Sequence, residues 1–402
     1  MIKSIITQLR FLFNEILTMG GALAALEYVR FIGLFPRIPY SIVIVALTIS
    51  FIYLFSSGFI IEKRSFAFLI WIPISLLLAN PDPLFRSWLR FLNFFLVFVV
   101  ASPLLQNSKA IAFRKHAFNV FLGLSVLFSV ASFFGFFFGI NLMRIEDATS
   151  LEVIQNQAGS FGGFYIQSMI LGPMAAVSAI TCYYNFLTKK NVIFAVLGIM
   201  SAGSCMFAAS RAAFIAMIIA IVVTTYYLAD NKGQFAKWSL HWLVILAVTF
   251  PVWYGATYLM QQKNERLVES GRMINSRKGK YECRIKEIRE NPISGVGFCA
   301  IDPQTGDNYD QVTGQIEPGT SWLAIPAQTG LLGLLFFIVL VIESWNKFSL
   351  WRSKERALSL GVMAMFLVHF CAEGYLLSAG GTLCFLAWIS IGSYSKNDTV
   401  PS

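Results

Sequence analysis

The chain has 402 residues, of which 56% are hydrophobic, 15% aromatic and only 13% charged. Soluble domains carry roughly a quarter charged residues, so this composition excludes an ordinary soluble fold. The formal net charge of +10 would suit nucleic acid, but the Lys and Arg residues lie mostly in short connections between apolar segments. Basic residues in such connections orient membrane helices, so the composition indicates an integral membrane protein.

Apolar segments close to the 20 residues that cross about 30 Å of hydrocarbon recur from end to end. We predict an all-α polytopic membrane protein with about twelve transmembrane helices, in which residues 1–402 form a single transmembrane domain. The predicted segments are 12–35, 41–61, 66–80, 87–105, 117–140, 166–187, 191–208, 212–229, 239–259, 321–343, 358–373 and 376–393.

The distribution of basic residues predicts the orientation. If the amino terminus is cytoplasmic, every cytoplasmic connection is basic, as the positive-inside rule requires, and both termini are cytoplasmic. The basic residues concerned are Lys63, Arg64, Lys109, Arg114, Lys115, Lys189, Lys190, Lys232, Lys237, Arg352, Lys354 and Arg356. The segment Met1–Gly20 lacks a small-residue cleavage site and is interpreted as a retained first helix.

One external connection, residues 260–320, is polar and far longer than most loops of compact proteins. Its first half holds nine basic and five acidic residues, whereas the charged residues of its second half are all acidic. These acids are Asp302, Asp307, Asp310 and Glu317. Loops of this length are usually functional, so we expect the site to involve this loop.

A short helix is predicted inside this loop. Apolar side chains recur at roughly helical spacing between Ser276 and Glu290, and Asn291-Pro292 stops a helix there. Cys283 and Cys299 share the loop, and both a disulfide and two free thiols are compatible with its external position. The other four cysteines lie in apolar segments and are interpreted as structural.

Basic residues normally lie on the cytoplasmic side of a membrane protein, so arginines on the external side are unexpected. Their presence there suggests an anionic ligand. Arg86 and Arg90 are four residues apart at the external start of the fourth segment. Arg211 lies in a tight turn between two segments, and Arg277 opens the loop helix. The four arginines are expected to converge on one site. Guanidinium groups match phosphate geometry bidentately, so a pyrophosphate is the expected anion. For Arg86 and Arg90, contact with lipid head groups is an equally good interpretation.

Four motifs make residues 200–340 resemble the O-antigen polymerase (Wzy) and O-antigen ligase (WaaL) superfamily. They are Ser210-Arg211 between apolar helices, Arg277 with Tyr281, Asn291-Pro292-Ile293-Ser294-Gly295-Val296-Gly297-Phe298, and Thr329-Gly330-Leu331-Leu332-Gly333. Each motif alone is weak, whereas their order and placement together are fairly specific. The resemblance implies a glycosyltransferase-C-like fold in a bacterial inner membrane, with the active site facing the periplasm.

The resemblance also implies a reaction. Such enzymes transfer a glycan from an undecaprenyl-pyrophosphate carrier to an acceptor at the periplasmic face, without a metal, a nucleotide sugar or another cofactor. Arg211 and Arg277 match the family's arginines and would hold the pyrophosphate, and Arg86, Arg90 and Arg284 are added as substrate-binding candidates. Charge stabilisation of this kind is often the largest contribution to catalysis.

The sequence departs from the ligases at one position. They carry a His-Asn pair where this chain has Gly319-Thr320, and none of the three histidines is an obvious substitute. Glu317 lies two residues away and is the candidate general base. The alternative is that Glu317 and Asp302 only solvate the loop or hydrogen-bond to sugars. Trp322 is a candidate for stacking on a sugar ring, although interfacial aromatics are often anchors.

The missing histidine favours an inverting polymerase that joins lipid-linked repeat units of O-antigen or a related surface polysaccharide. Its partners would be the undecaprenyl-pyrophosphate-linked donor and acceptor, the bilayer and a chain-length regulator protein, and no nucleic acid. An O-antigen ligase that transfers glycan to lipid A core is the nearest alternative. A polysaccharide flippase or transporter is the alternative from another class, although transporters place binding residues near the membrane midplane.

Overall fold

A computed structural model describes residues 2–56, 58–144, 161–248, 275–304, 309–310, 313–350, 354–378 and 381–392. These residues are helical, with isolated β-bridges such as that between Ile61 and Leu105. The α-helices are α1 Ile2–Ile16, α2 Met19–Val29, α3 Tyr40–Phe55, α4 Lys63–Ala79, α5 Ser87–Ala101, α6 Ser108–Phe137, α7 Ser168–Lys189, α8 Val192–Phe207, α9 Arg211–Leu228, α10 Lys232–Val248, α11 Asn275–Glu290, α12 Ser321–Leu350, α13 Glu355–His369 and α14 Thr382–Gly392.

Several of the described helices are long and apolar enough to cross a bilayer. Five meet this condition alone, and a bent pair near the amino terminus makes a sixth if it forms one span. The five are Pro83–Ala101, Ser108–Phe137, Ser168–Lys189, Arg211–Leu228 and Ser321–Ser349. Three further apolar helices, α3, α8 and α14, are shorter. The prediction of an all-α polytopic membrane protein is confirmed, whereas the number of about twelve crossings stays a prediction.

The first predicted segment, 12–35, is not one continuous helix. The chain bends by 99° between Thr7–Ile16 and Met19–Val29. Thr18 caps the second helix, since its hydroxyl accepts a hydrogen bond from the Gly21 N–H at 3.1 Å and donates to the Glu15 carbonyl at 2.6 Å. A side chain on Gly21 would clash with that carbonyl, so glycine permits the tight bend.

The described residues group into two compact units. Unit 1 comprises Met1–Ile38, Asn119–Ser270 and Phe348–His369. In it, α7 packs against α8, α9 and α13, and α9 packs against α13. Hydroxyl pairs lie between these helices, with Tyr183 and Thr225 2.7 Å apart and Ser178 and Ser201 2.6 Å apart. Such interhelical hydrogen bonds satisfy polar groups that lipid would leave unpaired.

Unit 2 comprises Pro39–Phe118, Gly271–Lys347 and Phe370–Ser402. Its core is aromatic, and the fully buried Trp388 of α14 lies at the centre. The Trp388 ring centroid is 4.7 Å from that of Phe98 and 5.9 Å from that of Phe68. Phe94 and Phe337 complete the cluster at 6.1 Å each. These rings join α4, α5, α12 and α14.

Helix α12 is broken at Gly330, whose φ of 72° and ψ of 176° lie outside the helical region. Residues 292–297, which follow α11, form backbone hydrogen bonds with the residues on either side of this break. Val296 N–H donates to the Ala327 carbonyl at 2.8 Å, and Gly297 N–H donates to the Gln328 carbonyl at 3.1 Å. Leu331 N–H in turn donates to the Pro292 carbonyl at 2.8 Å. The two longest motifs of the sequence therefore form one backbone-to-backbone contact.

We expect Gly330→Ala to destabilise the protein and to lower the midpoint of thermal unfolding in detergent. The backbone conformation at Gly330 costs a non-glycine residue about 1–3 kcal/mol. A Cβ atom there would also clash with the Ile293 carbonyl. Gly279→Ala is the matched control, because a Cβ on this helical glycine meets nothing within 4 Å. The control is expected to stabilise by about 0.5–1 kcal/mol, and equal midpoints for the two variants would contradict the argument.

Candidate functional site

A cavity of about 380 Å³ opens in unit 2 beside the break in α12. It lies where α5, the loop between α11 and α12, and the non-helical segment before α14 meet. Its lining combines polar and apolar groups and consists of Arg90, Cys299, Thr313, Gln315, Ile316, Pro318, Ser321, Ala324, Gln328, Gly374, Tyr375, Leu377 and Ser378. This volume falls within the range of about 300–1,000 Å³ that is common for small-molecule pockets.

Cys299 connects the two most polar groups of this cavity. Its carbonyl accepts a hydrogen bond from Arg90 Nη1 at 3.2 Å, and its N–H donates to Gln328 Oε1 at 3.0 Å. The φ of Cys299 is 51°, in the left-handed region. This conformation is uncommon for a non-glycine residue, and such strain clusters at functional sites. The guanidinium of Arg90 and the amide of Gln328 are thereby held on either side of one residue.

Arg90 also donates to the Thr313 carbonyl from Nη2 at 3.3 Å. Both of its acceptors are neutral carbonyl oxygens, and no carboxylate among the described residues pairs with it. Arg90 therefore contributes a positive charge to the lining of the cavity. Tyr375 adds a phenolic hydroxyl to the lining. Burial raises the pKa of this hydroxyl well above its ordinary value, and the nearby carboxylate of Glu373 raises it further. That hydroxyl therefore stays protonated.

Glu317, the candidate base, forms an ion pair with Lys280 of α11. The lysine side chain is only 11% exposed, whereas that of Glu317 is 51% exposed, so Lys280 is the fixed partner. Glu317 does not line the cavity itself, but its neighbours Ile316 and Pro318 do. Its carboxylate is thus anchored at one oxygen and open to solvent at the edge of the cavity.

The next residues explain why no base occupies the position of the ligase histidine. Gly319 has a φ of 76°, a conformation that favours glycine. Thr320 is 3% exposed, and its hydroxyl accepts a hydrogen bond from Leu323 N–H at 3.1 Å at the start of α12. Both residues therefore act in the turn that begins α12.

Arg284 and Glu287 form a buried ion pair in α11. The Nη1 atom of Arg284 donates to Glu287 Oε2 at 2.8 Å and to the Ala300 carbonyl at 3.2 Å, and the two residues are 2% and 0% exposed. The other carboxylate oxygen of Glu287 accepts from Asp302 N–H at 2.9 Å. Arg284 therefore holds the loop at residues 300–302 and does not present its charge at the surface, unlike the substrate contact expected for it.

The other expected substrate contacts have local partners. Asp302 accepts a hydrogen bond from Gln304 N–H at 2.8 Å, which closes a turn. Trp322 packs edge-to-face on Phe337, with ring centroids 5.6 Å apart, and does not line the cavity, although its neighbour Ser321 does. Ser321 in turn donates from its hydroxyl to the Glu373 carbonyl at 2.8 Å.

The four arginines expected to converge are described only in part. Arg86 is exposed, has a φ of 47° and precedes α5, so it does not share a continuous helix with Arg90. Arg211 is the exposed first residue of α9 in unit 1, where the hydroxyl of Ser210 accepts from Ala213 N–H at 3.4 Å. Arg277 belongs to α11, and its side chain lies outside the described residues. Their convergence on one site stays a prediction.

The loop helix was predicted at 276–290 and is observed at Asn275–Glu290. The backbone of this helix is described from its first residue. Residues 260–274 and 305–308, which include Asp307, lie outside the described residues. Cys283 and Cys299 are free thiols, so no disulfide joins them. Cys299 Sγ instead contacts the Leu377 carbonyl at 3.0 Å.

Gln328, Tyr375 and Ser321 are cavity residues that the sequence did not single out. For Gln328 a signal existed, since it is an amide within an apolar segment and precedes the Thr329-Gly330 motif. Polar side chains in such segments usually face a cavity or another helix.

A family model described as O-antigen ligase matches residues 172–338, which include Arg211, Arg277, the loop and the first part of α12 with its break. No curated protein matches the chain. The chain is an integral membrane protein with the helical spans described above. The match supports a place in the O-antigen polymerase and O-antigen ligase superfamily and a role in surface-polysaccharide biosynthesis.

Proposed function

We propose that the protein is an inverting, metal-independent polysaccharide polymerase in a bacterial inner membrane. It transfers a growing glycan from its undecaprenyl-pyrophosphate carrier onto a newly arrived lipid-linked repeat unit at the periplasmic face. The observation that carries the preference for polymerase over ligase is the turn at Gly319-Thr320. Where ligases carry His-Asn, the side chain of Thr320 caps α12 and no base is present.

In the proposed reaction, a hydroxyl of the acceptor sugar attacks the anomeric carbon of the donor sugar. Glu317 accepts the hydroxyl proton as the new C–O bond forms. The bond between the anomeric carbon and the carrier phosphate breaks at the same centre, and its electron pair leaves with the pyrophosphate. Arg211 and Arg277 stabilise the negative charge on the departing group. Attack opposite the leaving group inverts the anomeric configuration.

The first part of the test uses a strain that lacks the protein. A polymerase predicts lipopolysaccharide core that carries a single repeat unit. A ligase predicts bare core with polymer retained on its lipid carrier. A flippase predicts single lipid-linked units that accumulate on the cytoplasmic side. Bare core would overturn the assignment as a polymerase, and cytoplasmic accumulation would favour the transporter.

The second part replaces Arg211 by methionine. We expect chain lengthening to fall roughly 10²- to 10³-fold, the loss typical when one donor to a developing negative charge is removed. Arg211→Lys is expected to retain part of the activity, because lysine keeps the charge but lacks the bidentate geometry. Lys232→Met, which removes an exposed cation at the start of α10, is the control and should leave lengthening unchanged. Normal lengthening in Arg211→Met would exclude its role at the pyrophosphate.

A further inference from the structure

The cavity of unit 2 contains a second polar group besides the cation of Arg90. Gln328 is 1% exposed and lines the cavity. Its side-chain oxygen is occupied by Cys299 N–H, which leaves the amide NH₂ group as the part that faces the cavity. Among the described residues this NH₂ group has no hydrogen-bond acceptor. The NH₂ group is therefore free to donate to a ligand or to water in the cavity that Gln328 lines.

The charges and donors of the cavity fit a ligand with one negative charge. Arg90 supplies a cation, Gln328 a neutral donor, and both are fixed on Cys299. A carboxylate has two oxygens and accepts from both groups at once. A lipid diphosphate carries more charge than this single described cation balances. The proposed function already assigns the diphosphate to Arg211 and Arg277.

The rest of the lining suits a sugar ring. Thr313 and Ser378 offer hydroxyl groups, while Ile316, Pro318 and Leu377 offer apolar surface. Sugar sites combine such hydrogen-bonding groups for the ring hydroxyls with apolar contacts for the C–H faces. The segment that carries Glu317 forms one wall, so a sugar held here lies beside the proposed base.

We infer that this cavity binds a carboxylate-bearing sugar of the acceptor repeat unit, with Arg90 and Gln328 as the residues that recognise its carboxylate. The inference rests on the proposed function and specifies its substrate class, which is a repeat unit that contains an acidic sugar such as a hexuronic acid. Gln328 and Arg90 act in specificity and take no part in bond breaking.

The test is saturation-transfer NMR on the full-length protein in nanodiscs, with millimolar D-glucuronate and D-glucose as separate probes and inorganic pyrophosphate as a competitor. Glucuronate is expected to bind the wild-type protein about tenfold more tightly than glucose, as hydrogen bonds to a charged group predict. Gln328→Glu keeps an acceptor for Cys299 N–H but replaces the cavity-facing donor by a negatively charged oxygen. It should therefore abolish the preference for glucuronate and leave glucose binding unchanged.

A second variant and a control guard against misfolding. Arg90→Met should also remove the preference, whereas Lys286→Met should keep it, because Lys286 pairs with Glu290 at 3.9 Å on the exposed side of α11. Only variants whose midpoint of thermal unfolding equals that of the wild-type protein are compared. Equal binding of glucose and glucuronate, or no glucuronate binding, would overturn the inference. The inference would also be overturned if pyrophosphate displaced glucuronate from the wild-type protein and Gln328→Glu prevented pyrophosphate binding. The cavity would then bind the diphosphate.

The outcomes separate this inference from the proposed function. If glucuronate fails to bind while deletion of the protein still leaves core with one repeat unit, the specificity assignment is wrong and the polymerase stands. If glucuronate binds as expected but deletion leaves bare core, the cavity recognises acidic sugars, but the enzyme transfers glycan to a different acceptor and is not a polymerase.

Discussion

Replacing Glu317 by glutamine is expected to lower the turnover of chain lengthening roughly 10²- to 10⁴-fold, the range that a positioned general base contributes. Glutamine keeps the size of the side chain but has no carboxylate to accept a proton. Glu317 is suited to this role because the mostly buried Lys280 fixes one carboxylate oxygen while half of the side chain remains exposed. The measurement is the rate of polymer formation from purified lipid-linked repeat units by the protein in nanodiscs.

The matched control for Glu317 is Glu290→Gln. Glu290 is an exposed carboxylate of α11 that pairs only loosely with Lys286, at 3.9 Å. This variant should polymerise at the wild-type rate. If Glu317→Gln raises KM and leaves kcat unchanged, Glu317 hydrogen-bonds to the acceptor sugar and the base lies elsewhere. A wild-type rate in Glu317→Gln would remove the residue from the mechanism.

Loss of the Glu287 carboxylate is expected to destabilise the protein by roughly 3–5 kcal/mol, because it leaves the charge of the buried Arg284 without its partner. Glu287 also accepts Asp302 N–H, so Glu287→Ala releases the loop that follows the Asn291–Phe298 motif. The measurement is the midpoint of thermal unfolding in detergent, with polymer formation assayed below that midpoint.

Two further variants separate the ion pair from a general loss of packing. The double variant Arg284→Met with Glu287→Ala removes both charges and should recover most of the lost stability, since an uncharged pair carries no desolvation cost. Glu290→Ala, at an exposed pair, should change stability by at most about 1 kcal/mol. A double variant as unstable as Glu287→Ala alone would show that packing, and not the unpaired charge, is responsible.

The sequence predicted local features well where the signal was local. The loop helix and its stop at Asn291-Pro292 are observed within one residue of the expected bounds. The buried face of that helix was less predictable. Ile285, part of the apolar spacing, is 39% exposed, whereas Arg284 and Glu287 are buried. Charged residues are normally exposed, and only the tertiary structure reveals that these two neutralise each other.

Breaks within helices were also missed. Hydropathy is continuous through Thr18 and through Gly330, because small and weakly polar residues hardly change a window average. The signals were Thr18 followed by Gly20-Gly21, and Thr329-Gly330, where a cap or a positive φ interrupts the helix. The family motif marked the second position, but its partner, the carbonyl of Pro292, is distant in sequence.

For the candidate site, charge identified Arg90, since ionisable groups beside apolar segments are few and conspicuous. The resemblance to the ligases identified Glu317, which lies two residues from the position of their His-Asn pair. Gln328, Cys299 and Tyr375 are uncharged or weakly ionisable and come from three separate segments. Only folding brings them to one cavity. A single sequence contains no signal that these three residues lie close together in space.

The backbone contact at Gly330 bears on how the protein is made. The break leaves the carbonyls of Ala327 and Gln328 without helical partners, and hydrocarbon would leave them unpaired at a large cost. Their donors, Val296 and Gly297, leave the ribosome earlier than α12 because translation starts at the amino terminus. The stretch that follows α11 is therefore synthesised before α12, and α12 attains its broken shape only when this stretch has docked on it.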